Sequence, residues 1–151
     1  MAHTYTKIYY HLVWSTKKRQ PLIQPSFQIR LYNYMGGIVK HLGANLINIG
    51  GMNDHVHLLI FTPPDILLAD IVRQVKSRST KWINKEIPQD ARFAWQDGYG
   101  GFSVSFSQLE IINNYIKNQE QHHKTMSFQD EYLTFLKLNK INVESNFTFD
   151  N

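Results

Sequence analysis

The chain has 151 residues, no cysteine and a formal charge of +4, with a sequence pI near 9.3. That length suits one compact domain over residues 1–151 and excludes two full-sized ones. The missing thiols exclude disulfides and thiolate metal sites, so any metal must be held by imidazole, carboxylate or amide groups, and the basic balance favours a polyanionic partner.

The N-terminal segment MAHTYTKIYYHLVW lacks a basic stretch leading into a long apolar run. Nothing in the chain approaches the roughly 20 apolar residues that span a bilayer, which predicts a cytoplasmic protein without a membrane partner. From Ile8 to Trp14 aromatic and β-branched residues predict a first strand, closed by the polar run Ser15 to Gln20. Pro25 and Ser26 open a helix with apolar residues at Leu31, Tyr34, Met35, Ile38, Val39 and Leu42, stopping at Gly43. Two strand-like runs follow, Asn45 to Ile49 and His55 to Phe61, joined by turn formers at Gly50, Gly51, Asn53 and Asp54, and these predict a hairpin.

After Pro63 and Pro64, Ile66 to Lys85 has Val72, Val75, Trp82 and Ile83 at helical spacing with a basic arc opposite. Phe102 to Phe106 predicts the last strand. Ser107 and Glu110 form a capping-box pattern for a helix through Tyr115 to about His123, and Ser127 starts a final helix ending near Leu138, before a polar tail expected to fray. The order βαββαβ predicts an α+β, ferredoxin-like antiparallel sheet with two helices on one face and additional C-terminal helices. In that topology the first and third strands are central neighbours, which brings His11, expected as a hydrogen-bonded core histidine, near the His55 strand.

His55 and His57 alternate along one strand, so both imidazoles face the same way and can grip one cation. Tyr115 and Gln119 share a helix face, and the Gln119 amide oxygen can serve as a third ligand. His122 and His123 are rivals for that place that can equally stabilise the helix C-terminus. A phenol is a poor nucleophile at neutral pH and needs an electrophile polarised by a metal, for which magnesium or manganese suits an N,O site. Arg73, Lys76, Arg78 and Lys81 on the second helix, with Lys17, Lys18 and Arg19 after the first strand, form candidate phosphate-binding surfaces. Trp14, Trp82, Trp95 and Tyr99 offer faces for unpaired bases, although each is also a candidate core residue. No nucleotide-binding glycine loop is present, so no nucleotide cofactor is expected.

Three segments together, Tyr10-His11-Leu12-Val13-Trp14, Gly51-Met52-Asn53-Asp54-His55-Val56-His57-Leu58-Leu59 and Tyr115-Ile116-Lys117-Asn118-Gln119, resemble the TnpA-type, IS200-like single-tyrosine HUH transposases of the smallest bacterial insertion sequences. Their relatives include the REP-associated tyrosine transposases. The likeness covers about residues 6–123, leaving a C-terminal helix and tail over 124–151. It implies a metal held by His55, His57 and Gln119, and a Tyr115 nucleophile that forms a 5′-phosphotyrosine link and frees a 3′-hydroxyl. It also implies a substrate of single-stranded DNA with hairpin ends, and a homodimer with composite active sites. A domesticated single-strand endonuclease, a non-catalytic nucleic-acid-binding module and a small-molecule metal hydrolase are the competing readings, the last leaving the basic helix without a purpose.

Overall fold

A computed structural model of the chain describes residues 3–143. Four strands, β1 (Ile8–Ser15), β2 (Asn45–Gly51), β3 (His55–Thr62) and β4 (Gly100–Val104), form one antiparallel sheet in the order β2-β3-β1-β4. This is the expected βαββαβ arrangement, with β1 and β3 in the centre. All of β3 except Phe61 is buried, because it is covered on both faces.

Helices α1 (Pro25–His41) and α2 (Leu68–Glu86) cover one face. Proline at the first turn suits α1, since its missing N–H would have no partner there. Gly43, at φ +91°, ends the helix by letting the Ala44 N–H return to the Val39 carbonyl. The even residues of the central strands, Leu12, Trp14, Val56, Leu58 and Ile60, meet Leu31, Met35, Ile38 and Val39 of α1 and Ile71, Val72, Val75 and Ile83 of α2. Burying each such aliphatic side chain contributes about 1.5–3 kcal/mol, so this face supplies most of the apolar stabilisation.

The odd residues point the other way, toward α3 (Leu109–Lys117), α4 (Gln119–His122) and α5 (Phe128–Leu138). Val13 and Phe102 pack on Phe128, Tyr132 and Leu136 of α5, while Tyr9, Leu59 and Val104 pack on Ile116 of α3. A Cβ on Gly50 would lie 2.5 Å from the Ile116 carbonyl oxygen. Only glycine lets α3 cross β2 this closely, and Gly50 is the register partner of His57.

Several boundaries depart from the sequence expectation. β4 begins at Gly100, since its glycines tolerate the close neighbours Tyr132 and Leu68. α2 begins two residues after Ile66. The capping box does not form: Ser107 lies in a short 3₁₀ turn, Phe106–Gln108, with its hydroxyl 3.0 Å from that of Ser105. The single helix expected to His123 is broken at Asn118, whose ψ of 24° leaves the helical basin. Ser127 does cap α5, accepting from the Asp130 N–H at 3.2 Å. The part of the expected frayed tail beyond residue 143 lies outside the described residues. Among those described, no helix is long and apolar enough to cross a membrane.

Candidate active site

The site lies on the sheet face away from α1 and α2, where β3 presents His55 and His57, β1 presents His11, and α3 to α5 close over them. His55 and His57 are fully buried, and Gln119 and Glu131 are 1% exposed. The His55 Nδ1 lies 2.8 Å from Asp54 Oδ1, and the His57 Nδ1 lies 2.8 Å from His11 Nε2. Both remaining Nε2 atoms face inward: that of His55 is 2.7 Å from Gln119 Oε1, and that of His57 is 2.9 Å from Glu131 Oε1. Imidazoles oriented through Nδ1, with Nε2 atoms converging, are arranged as metal-binding histidines are, so the residues fit a divalent cation. His55, His57 and Glu131 bring ligand atoms within 4.8 Å of one another.

Tyr115 and Gln119 reach this centre together although a helix break separates them. The Tyr115 hydroxyl donates to Glu131 Oε2, and Gln119 Nε2 donates to the same oxygen at 2.8 Å. Of the two rival histidines, His123 enters the cluster, its Nε2 3.0 Å from Gln119 Oε1 and 3.1 Å from Glu131 Oε1, while His122 stacks on the Tyr115 ring. His11 is both the hydrogen-bonded core histidine expected and a neighbour of the site. Aromatic rings shut the centre: Phe128 stacks on His55 at 4.4 Å, and Phe135 sits edge-on to His11 and Tyr115. A cavity of about 370 Å³, lined in part by His11, Phe102, Gln108, Ile112 and Phe135, lies beside it.

Electrostatics follow from this enclosure. Burial pushes His11 down to about 3, helped by His57, and His57 down to about 4 against the pull of Glu131. Both imidazoles are therefore neutral at pH 7. Burial opposes ionisation of Glu131, but hydrogen bonds from His123 and His57, the nearby His57 and the Tyr115 hydroxyl outweigh it and hold the carboxyl well below its usual range. Burial, then the hydrogen bond and charge of Glu131, raise Tyr115 above the ordinary phenol. For His123 burial lowers the value, yet Glu131 and the Met126 carbonyl raise it overall.

Glu131 was missed in the sequence reading. Its signal was an acid on the apolar stripe of α5, between Phe128, Tyr132 and Phe135, where a solvated face would be expected to carry it. Asp54 read as a turn former and proves to orient His55.

The basic residues fall into two places. Lys17, Lys18 and Arg19 form a short turn after β1, directly after Thr16, whose N–H donates to the Asp54 carbonyl. Arg73, Lys76, Arg78 and Lys81 belong to α2, on the opposite face. Lys76 is engaged within the chain, donating to the carbonyls of Gln96, at 3.0 Å, and Gly98 over the Trp14 ring. Arg73 pairs with Asp70 at 3.2 Å on the surface. Trp14 and Trp95 are core residues, whereas Trp82 is half-buried and stacks on Tyr34.

The sheet thus carries two convergent histidines opposite the helix that bears Tyr115, the arrangement that the family resemblance implied, and the comparisons show the family. Residues 4–119 match the family described as "Transposase IS200 like", and the chain belongs to that family. It is similar to the ISDra2 transposase TnpA of Deinococcus radiodurans, 28% identical over 115 residues that cover 73% of this chain and 82% of the relative. It is also similar to a crystal structure of a candidate transposase from Deinococcus radiodurans, with TM-score 0.63 and 28% identity over 79% of this chain and 96% of that one. A REP-associated tyrosine transposase bound to a REP hairpin shares the fold at TM-score 0.62 and 13% identity, over 82% and 73% of the two chains.

Proposed function

We propose that this transposase cuts and rejoins single-stranded DNA by transesterification, with Tyr115 as nucleophile beside a divalent cation site formed by His55, His57 and Gln119. The observation that carries the proposal is that the Tyr115 hydroxyl and both imidazole Nε2 atoms meet at one buried carboxylate and amide pair. Tyr115 gives up its hydroxyl proton to solvent and its oxygen bonds to phosphorus as the bond to the 3′-oxygen breaks, leaving a 5′-phosphotyrosine and, when the leaving oxygen takes a proton from water, a 3′-hydroxyl. Exchanging one phosphate ester for another preserves the bond, so a 3′-hydroxyl can later rejoin the DNA without a nucleotide cofactor. Bound magnesium or manganese would supply neutralisation of charge on the phosphate oxygens. Asp54 and His11 orient the imidazoles, and Phe128 and Phe135 keep water from the centre.

Lys17, Lys18 and Arg19 are proposed to hold the strand next to the site. Arg73, Arg78 and Lys81 are proposed to bind a more distant part of the substrate, since α2 faces the other way; Lys76 serves there chiefly by shaping the 96–98 loop. Hairpin-bearing ends are the proposed substrate, supported by family membership and by the hairpin bound to the REP-associated relative. A homodimer with composite active sites is part of the proposal, supported by family membership; within one protomer Tyr115, Gln119 and the histidine pair already meet. Residues 1–151 are proposed to act as a single domain in the cytoplasm.

The test is to incubate the protein with hairpin-bearing single-stranded DNA and magnesium or manganese, then look for an adduct that survives denaturation. The expected result is a metal-dependent adduct that Tyr115→Phe abolishes while DNA binding persists. Binding without an adduct under any divalent ion overturns the catalytic reading in favour of a nucleic-acid-binding module.

A further inference from the structure

We propose that Glu131 is a catalytic residue of this centre: α5 delivers a carboxylate whose one oxygen faces the cation position while the other holds the Tyr115 hydroxyl. The inference rests on the reading of Tyr115 as nucleophile and His55 and His57 as ligands. It also goes beyond the family pattern, because the family match ends at residue 119 and Glu131 lies outside it.

Docking of α5 does not require a carboxylate. Phe128, Tyr132 and Leu136 already seat the helix on Val13 and Phe102, and a leucine at position 131 would add apolar contact without the several kcal/mol that burying an anion costs. What distinguishes Glu131 is how its two oxygens are divided. Oε1 lies 2.9 Å from His57 Nε2, 3.1 Å from His123 Nε2 and 3.5 Å from His55 Nε2. Oε2 accepts from the Tyr115 hydroxyl and from Gln119 Nε2.

One edge of the carboxylate thus meets the imidazoles and the other meets the nucleophile. Imidazole and amide ligands are neutral donors, and hard cations such as magnesium and manganese favour an anionic oxygen among their ligands. Bonds of about 2.0–2.2 Å to one ion put ligand atoms up to about 4.0–4.4 Å apart, and the 3.5 and 2.9 Å separations of Glu131 Oε1 from the two imidazole Nε2 atoms fall inside that span. A tyrosine whose proton is committed to a carboxylate of the same site keeps its oxygen in one place, which is the positioning that in-line attack on phosphorus demands. The C-terminal helix is therefore a working part of the centre.

The test uses the full chain with Glu131→Gln and Glu131→Asp. Manganese affinity is read by electron paramagnetic resonance, covalent adduct formation on hairpin DNA by denaturing gel, and the metal-free Tyr115 hydroxyl proton by NMR, assigned with Tyr115→Phe. Glu131→Gln is expected to keep hairpin binding, to bind manganese at least tenfold more weakly and to form adduct at least a hundredfold more slowly. Its Tyr115 hydroxyl resonance should move upfield, and Glu131→Asp should recover part of each loss. An unchanged manganese affinity, or adduct formed at the original rate or faster, overturns the proposal; a faster rate would make α5 an obstruction over the site. Should Glu131→Gln fail to fold, Glu131→Asp and the effect of manganese on the hydroxyl signal of the unaltered protein decide. If the unaltered protein forms no adduct at all, the transesterification reading fails, while the manganese and hydroxyl measurements still judge Glu131.

Discussion

The two faces of the sheet are built from the same strands and do opposite things. Toward α1 and α2, Leu12, Val56, Leu58 and Ile60 enter an apolar layer. Toward α3 to α5, the alternate residues His11, His55 and His57 meet Glu131, Gln119 and Tyr115 in a buried polar network. Neighbours on β3 thus differ by one residue in sequence and by the whole thickness of the sheet in role. A buried polar network is costly unless every group is satisfied, so the apolar face provides the stability that the functional face draws upon.

Cutting the two faces separately should break this comparison most clearly. Leu58→Ala is expected to cost about 2–5 kcal/mol, seen as a lowered urea midpoint, with manganese affinity unchanged. His57→Ala is expected to reverse the pattern, with manganese affinity falling about 100-fold and a smaller change in the midpoint. Equal effects of both substitutions on metal and stability would show that the faces are not independent. Asp54→Asn sharpens the contrast at lower amplitude: losing the carboxylate behind His55 is expected to weaken manganese binding about tenfold by isothermal titration, with little change in melting temperature.

The smallest effect belongs to the apolar side. Burial lowers Lys76 from 10.5 to about 8, against the pull of Asp97, so the unfolded chain holds this proton more tightly than the folded one. The burial penalty on the charged lysine is relieved as pH rises from 8 toward 10.5, and this contribution to stability is lost again as pH falls back to 8. The urea midpoint difference between the original protein and Lys76→Met should therefore shift in favour of the original across that window. A difference that stays flat would argue that Lys76 is solvated.

Much of the site was legible because strand alternation and helical spacing are local. His55 and His57 fall on one face by period two, and Tyr115 and Gln119 project together by period four, a relation that survives the break at Asn118. The Ser107 capping box failed for the opposite reason: a local pattern offers a cap, but the turn from β4 into α3 tightens to a 3₁₀ segment and takes the hydroxyl elsewhere. Glu131 was hidden because α5 is amphipathic in the ordinary way, and nothing within eleven residues says what an acid on its buried side will meet.

The sequence by itself determined the element order and the partition of residues between the two faces, since these depend on periodicity and chain connectivity; the strand order followed from the ferredoxin-like topology, and the pairing of histidines with a later tyrosine from the family resemblance. Only the tertiary structure decided that Glu131 and His123 join the centre, that Asp54 and His11 orient the imidazoles, and that the basic helix α2 faces away from Tyr115. Those relations depend on how α5 folds back over the sheet and on how closely α3 approaches Gly50, and packing between distant segments has no periodicity from which to read it.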